Sequence, residues 1–485
     1  MRTISCAQLI AAADLPVMRD RAIRIDNGKI AGVESAAPRT APSTAQALLA
    51  LPALVNAHDH GRAVRTSSIG AGGKPLESWL VRLALFPSID PYLAALVSFG
   101  RTVLGGVGTV LTHYTRAQGF TDLPTEAAEV ARAGRDIGLR VGFAISMRDR
   151  NPLVYGPSEP VLAMLPPEAR GIIERKFLGT PLPPKEYIAL VEAVAAVATG
   201  PMFEVQFGPN GVHWCSQALL EAIAEASART GRRIHMHLLE TRYQRAWADA
   251  NHPEGVVKYL DKIGLLSPRL ALAHCVWARP GELELLAKRG VTLATNSSSN
   301  LHLRSGVAPV ARMMASGCRV AMGIDSQAFD DDGDGLRELR VGELLHAGTG
   351  FTPATTRQQM LAMAFANGRF SVTNSDDGGM ISPGAPADIL LLDWAEIDND
   401  RLRDDIDVLD LLITRASARH IRELIVAGRS IVKDGVVSGV DYPAANTEVI
   451  AQMRAGMSQN AALAAALPAL EHALAAHYEP DSHCC

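Results

Sequence analysis

Between residues 51 and 326 the chain alternates two hydrophobic patterns. Short apolar, β-prone runs recur as LLALPALVNAH, GVGTVLTHY, GLRVGFAIS, PMFEVQFGP, RRIHMHL, RLALAHC, GVTLATN and CRVAMGID. Between most of them lie Ala/Leu/Glu-rich stretches at helical spacing, such as CSQALLEAIAEASARTG and GELELLAKRG. The glycine closing each of these suits a helix C-cap. Strands alternating with helices in this number predict an α/β fold, a (β/α)8 TIM-like barrel. A three-layer sheet is the competing architecture; it would need a reversal of strand order that the pattern does not encode.

The flanks follow a different rhythm. Residues 17–36 hold two short strands around Asn27-Gly28, a hairpin signal. Segments 378–394 and 421–440 read as further short strands with glycine turns. Together they predict a small β-sandwich domain built from both chain ends, residues 1–50 and 376–443, with the barrel of residues 51–375 inserted between. Residues 444–477 are Ala-rich and helical in character, which predicts a surface or oligomer helix within a C-terminal segment 444–485 that ends in a disordered tail. The prolines of 149–185 predict a long loop over one barrel face.

Composition narrows the class without naming the chemistry. The 485 residues are 48% hydrophobic and 20% charged, with a formal charge of −4 and no long run of one sign. That balance argues against a nucleic-acid or anionic-membrane partner and leaves a small molecule as the expected ligand. No stretch reaches the roughly 18 consecutive apolar residues that span a bilayer, and the N-terminus lacks the cationic start and apolar core of a signal peptide. A cytoplasmic location is the expectation. The cysteines, at 6, 215, 275, 318, 484 and 485, form neither a disulfide framework nor a zinc knuckle.

The chemistry sits at the ends of the predicted strands. In VNAHDH, His58 and His60 are two apart and share one strand face, while Asp59 is expected to face outward. Two imidazoles at the C-terminal end of a barrel strand suit a divalent ion. In RIHMHLLET, His237 and Glu240 follow near the end of the fifth strand, and a carboxylate beside an ion can carry a water's proton. His235, deeper in the strand, suits a supporting role. His274 closes the sixth strand and Asp325 the eighth; an unpaired carboxylate ending an apolar strand is costly unless a cation compensates it. The residues alone leave His274 open between ligand and partner of the reacting water.

The ordered set H-x-H, H-x-x-E, His and Asp resembles the amidohydrolase superfamily, in its cytosine/guanine deaminase and triazine hydrolase branch. PLESWL (75–80), HMHLLET (235–241), AHCVWARPGELELLAKRGV (273–291), SSSNLHLRSGVAPV (297–310) and MGIDS (322–326) carry the resemblance, which continues through ISPGAPADILLLD (381–393) and ITRASARHIRELIVAGRSIVKDG (413–435). It implies one divalent ion, zinc with iron or manganese as alternatives, held by His58, His60, His237 and Asp325. Glu240 would then be the proton shuttle, and His274, with Asp325, would act on the attacking water or the substrate. The fourth strand has no lysine to bridge a second ion. Asn210 stands where relatives often carry a histidine, with His213 three residues on.

The resemblance implies an aminohydrolase that attacks a ring carbon of an aminopurine, aminopyrimidine, pterin or triazine with a hydroxide generated at the ion, releasing ammonia. The alternative on the same scaffold removes an alkylamine, halide or thiol from a triazine, urea or thiocarbamate. A non-catalytic barrel is a third reading, to which the intact ligand set runs counter. Substrate-facing candidates are Gln206, His113, Trp79, Asn210 and His302, with Arg65 and His213 behind them. The acidic run 329–335 is expected to be a solvated loop. A homodimer or larger homo-oligomer is expected from the resemblance.

Overall fold

A computed structural model describes residues 1–36, 47–326 and 332–479. Two eight-stranded sheets organise it. The central sheet runs through Leu54–Asp59, Val107–Tyr114, Arg140–Met147, Phe203–Pro209, Ile234–Leu238, Leu270–His274, Thr292–Thr295 and Arg319–Met322. Each strand pairs in parallel with its sequence neighbours. The order never reverses, which removes the three-layer alternative. The sheet closes where the amides of Ile324 and Asp325 both donate to the His58 carbonyl, at 3.3 and 2.9 Å. Helices between the strands cover its outside, giving the (β/α)8 barrel.

The second sheet is built from both chain ends. Its strands come in the order Val436–Val437, Arg429–Lys433, Ile421–Val426, Ile389–Asp393, Leu48–Pro52, Arg2–Leu9, Met18–Asp26 and Lys29–Ser35. The hairpin predicted at Asn27-Gly28 joins Met18–Asp26 to Lys29–Ser35, with Asp26 opposite Lys29. Both turn residues have positive φ, 48° and 76°, as a two-residue primed turn requires.

Four expectations need correction. LLALPALVNAH is not one strand: Leu48–Pro52 belongs to the small sheet and Leu54–Asp59 to the barrel. The change happens at Ala53, whose amide donates to the Asp388 carbonyl at 3.0 Å, because Pro52 has no amide to continue a ladder. The stretch 149–185 is not an uninterrupted loop; it contains helices Glu159–Ala163 and Pro167–Phe177. Pro160 and Pro167 stand in the first turns of these helices, where no amide is missed.

The C-terminal helix Ala461–Tyr478 is not a detached surface element. It buries Leu463, Ala466, Leu467, Leu470, Ala473 and Leu474 against Leu76, Trp79, Phe86, Leu162 and Ile173. This second apolar core is separate from the barrel's own and sits over the active-site end. The tail beyond residue 479, with Cys484 and Cys485, lies outside the described residues. So does Phe329–Asp331 of the acidic run. Asp334, from the same run, is buried rather than solvated: it caps helix Gly335–His346 and accepts the Ala418 amide at 2.9 Å.

Candidate active site

The barrel brings four of the predicted side chains to one point. The Nε2 atoms of His58 and His60 each lie 3.3 Å from Asp325 Oδ1, and His237 Nε2 lies 3.4 Å from His60 Nε2. Strand alternation accounts for the two histidines of the first strand. The residues closing the other strands need more: Leu239, His274 and Asp325 have φ of 50°, 72° and 60°, a left-handed conformation rare outside glycine. Such backbone clusters where surrounding structure forces a side chain into a working position.

Carbonyl acceptors set the ring protonation. His60 Nδ1 meets the His113 carbonyl at 2.9 Å and His237 Nδ1 meets the Asn210 carbonyl at 2.7 Å. A carbonyl only accepts, so each Nδ1 carries the proton and each Nε2 turns a lone pair toward the centre. Burial drives His58 down to about 4 and His237 well below the usual imidazole range. Burial alone would raise Asp325, yet His58 and His60 hold its carboxyl well below the ordinary range. Neutral imidazoles around an ionised carboxylate form a donor set for a divalent cation.

Asp325 Oδ1 and both ring nitrogens of His58 are buried without a hydrogen-bond partner among the described residues. His58 Nε2 and Asp325 Oδ1, both buried and 3.3 Å apart, face a common point and fit a bound cation. His274 stands at its edge. With His58 and His237 it makes a second possible ligating group, all donor atoms within 4.8 Å of one another, as in the group of His58, His60 and Asp325. Its Nε2 also faces Glu240 Oε2 at 3.6 Å and Asp325 Oδ2 at 4.0 Å. Asn300 Oδ1 meets its Nδ1 at 2.9 Å. Burial pushes Glu240 up to about 7.

Asp59 does not face outward. Its carboxylate is buried and accepts Asn56 Nδ2 at 2.8 Å, the Gly61 amide at 2.8 Å, and the Ser326 hydroxyl and amide at 2.5 and 3.1 Å. It thereby ties the H-x-H strand to the residue following Asp325. Ser299 supports the other side, donating its hydroxyl to Asp325 Oδ2 at 2.5 Å. His235 lies beneath, stacked on His58 with ring centroids 4.8 Å apart.

A cavity of about 560 Å³ opens above the centre, with His60, His237, Glu240, His274 and Asp325 at its base. Its volume is in the range of small-molecule sites. Of the substrate-facing candidates, Trp79 and Asn210 line it. Gln206 does not: it is fully buried lower in the barrel and donates to the Val372 carbonyl at 2.8 Å. His113 is sealed behind the histidine cluster, 3.1 Å from His235 Nδ1. His302 accepts the Gly73 amide at 3.2 Å, away from the cavity wall. His213 packs at 4.4 Å between ring centroids on Tyr155, and Arg65 is exposed; neither lines the cavity.

Residues that pattern reading did not single out complete the wall. Glu77, Tyr155 and Tyr478 reach it from three distant segments. Glu77 carried a signal within PLESWL; Tyr155 and Tyr478 stand in segments whose folding over the barrel no local pattern announces.

The comparisons agree with this geometry. A 5'-deoxyadenosine deaminase of Methanothermobacter thermautotrophicus is 30% identical over 388 residues, 80% of this chain and 82% of the relative. Among solved structures, an adenosine deaminase of Xanthomonas campestris with bound zinc superposes with a TM-score of 0.77 at 21% identity, covering 94% of this chain and 98% of that one. An atrazine chlorohydrolase of Arthrobacter aurescens complexed with zinc gives 0.72 at 22% identity, covering 93% and 100%. The amidohydrolase family profile matches residues 49–431, and the chain belongs to that family.

Proposed function

We propose that the protein is a metal-dependent aminohydrolase that removes the amino group of a 6-aminopurine nucleoside of the 5'-deoxyadenosine type as ammonia. The observation that carries this reading is Glu240: a buried carboxylate, 3.6 Å from His274 Nε2, facing a cavity whose base also holds Asp325. The relatedness to a 5'-deoxyadenosine deaminase supports the substrate class.

His58, His60, His237 and Asp325 would hold the ion, and three imidazoles with one carboxylate suit zinc. When bound, such an ion acidifies a water molecule near neutral pH. Glu240 would take one proton from the attacking water to a ring nitrogen, and then carry the second, from the hydroxyl that water has become on the ring carbon, to the departing amine; with its carboxyl pushed toward neutrality it can serve in both directions. His274 and Asp325, flanking the same space, orient the attacking oxygen. Trp79 and Asn210 border the part of the cavity where the purine would lie.

The setting belongs to the same proposal. Four free, buried cysteines at 6, 215, 275 and 318 suit a reducing, cytoplasmic compartment, and no helix among the described residues is long and apolar enough to cross a membrane.

The test is ammonia release from 5'-deoxyadenosine by the zinc-loaded protein. Glu240→Gln should lower kcat by at least a hundredfold while leaving bound zinc unchanged. Near-normal turnover in that variant removes the shuttle. Release of chloride or alkylamine from substituted triazines, without ammonia from any aminopurine, points to the alternative bond.

A further inference from the structure

Glu240 stands on a turn that needs holding. Leu239, just before it, has φ of 50°, and neither neighbour is glycine. The hold is a chain of buried hydrogen bonds. The Glu240 amide donates to Gln244 Oε1 at 2.8 Å, which turns the Gln244 amide nitrogen toward Tyr155 Oη at 3.4 Å. Tyr155 Oη is thus an acceptor there, so its own proton goes to Glu77 Oε1 at 2.8 Å. The Thr241 hydroxyl donates to that same oxygen at 2.8 Å. Every donor direction is fixed by its neighbour, and the five residues are all at least nine-tenths buried.

The chain does not end at Tyr155. Its backbone amide donates to Tyr478 Oη at 3.0 Å, on the last turn of the C-terminal helix. That helix is clamped over the barrel mouth by its apolar face and by Glu471, paired with Arg82 and with Lys74 at 3.1 Å. It lies beyond residue 431, where the match to the family profile ends. The C-terminal helix therefore reaches the shuttle through one tyrosine.

We propose that Tyr155, anchored by Tyr478 of the C-terminal helix, is a positioning residue that aims the Glu240 carboxylate by fixing its turn through Gln244 and Glu77. This rests on the shuttle role given to Glu240 above. Tyr155 takes no part in bond making. Its hydroxyl closes the network, and losing it loosens the turn from which the Glu240 carboxylate projects.

The experiment compares Tyr155→Phe, Tyr478→Phe and, as a control, Tyr92→Phe, whose hydroxyl donates to Asp136 Oδ2 at 2.7 Å outside this chain of bonds. Amide hydrogen exchange of the peptide spanning 239–245 in the full-length, zinc-loaded protein should speed up at least tenfold in Tyr155→Phe. It should speed up to a lesser degree in Tyr478→Phe, and not at all in the control. On 5'-deoxyadenosine, Tyr155→Phe should lower kcat about tenfold with KM and zinc content unchanged, and its solvent deuterium isotope effect should rise as proton transfer becomes slower. Unchanged exchange in Tyr155→Phe overturns the proposal, as does a rise in KM with kcat intact. Exchange needs no substrate, so a wild-type protein inert toward 5'-deoxyadenosine counts against the function alone and leaves exchange to decide the coupling.

Discussion

Asp59→Ala tests whether the metal centre depends on the carboxylate behind it. In the folded protein this group accepts four hydrogen bonds, from Asn56 Nδ2, the Gly61 amide, and the Ser326 amide and hydroxyl. Alanine leaves four buried donors without that acceptor. Each orphaned donor costs about 1–3 kcal/mol, and because all share one partner the losses do not add fully. A total of about 4 kcal/mol is expected, at the upper end for a single substitution. In a barrel of this size that lowers the thermal midpoint by roughly 6 °C.

The same knot joins the strand carrying His58 and His60 to the residue after Asp325, so loosening it spreads the ligands. Zinc affinity should fall by about 10- to 100-fold, as it does when groups orienting metal ligands are removed. Calorimetry with and without excess zinc, together with metal analysis after dialysis, reads both effects. A variant that melts within about 1 kcal/mol of wild type and keeps one zinc per chain would show that the H-x-H strand holds its geometry unaided.

Two further outcomes follow from buried groups away from the ion. Glu338 accepts the Ser298 amide at 3.1 Å, and burial lifts its carboxyl to about 7. A carboxyl raised in the folded state contributes stability that is complete below the unfolded value, near 4.5, and is lost as pH rises through about 7. Glu338→Gln keeps an acceptor for Ser298 without the charge. Its unfolding free energy relative to wild type should improve by about 3 kcal/mol between pH 4.5 and pH 8, and a pH-independent difference in chemical denaturation refutes this. Gln206→Leu removes the bond to Val372 at the barrel interior. It should lower stability by about 1–2 kcal/mol and leave KM for 5'-deoxyadenosine unchanged; a tenfold rise in KM would return Gln206 to the substrate.

The barrel was legible because its alternation is local: each strand and its following helix announce themselves within about twenty residues. The convergence of the four proposed ligands was legible through strand parity at His58 and His60 and through the cost of an unpaired aspartate at Asp325. Parity set the side of Gln206 and Asp59 but not what they meet there. Alternation predicts which side of a strand a residue takes, not how deep along the barrel axis it lies, and Gln206 is on the inner side but too low. Asp59 points away from the ion, yet Asn56 and Ser326 fill what would otherwise be solvent. The roof was not legible at all. Tyr155 and Tyr478 meet across 323 residues, and no local signal encodes such a pairing.

The left-handed residues at Leu239, His274 and Asp325 show why a motif and its working geometry are different things. Each ends a strand and turns its chain so that a side chain enters the mouth. For a residue with a Cβ this conformation costs about 1–3 kcal/mol, and nothing in local sequence favours it there. The compensation comes from elsewhere in the fold: at Asp325 from Ser299 and the amide bond to His58, at His274 from Asn300, and at Leu239 from the Gln244–Tyr155–Glu77 chain. Two of these supports come from SSSNLHLRSG, and the third from a loop and a terminal helix that lie far from the strands they steady. Sequence motifs locate the reacting groups, whereas their aim depends on residues that bind neither ion nor substrate. It follows that substitutions at Ser299, Asn300 and Tyr155 should damage turnover more than binding.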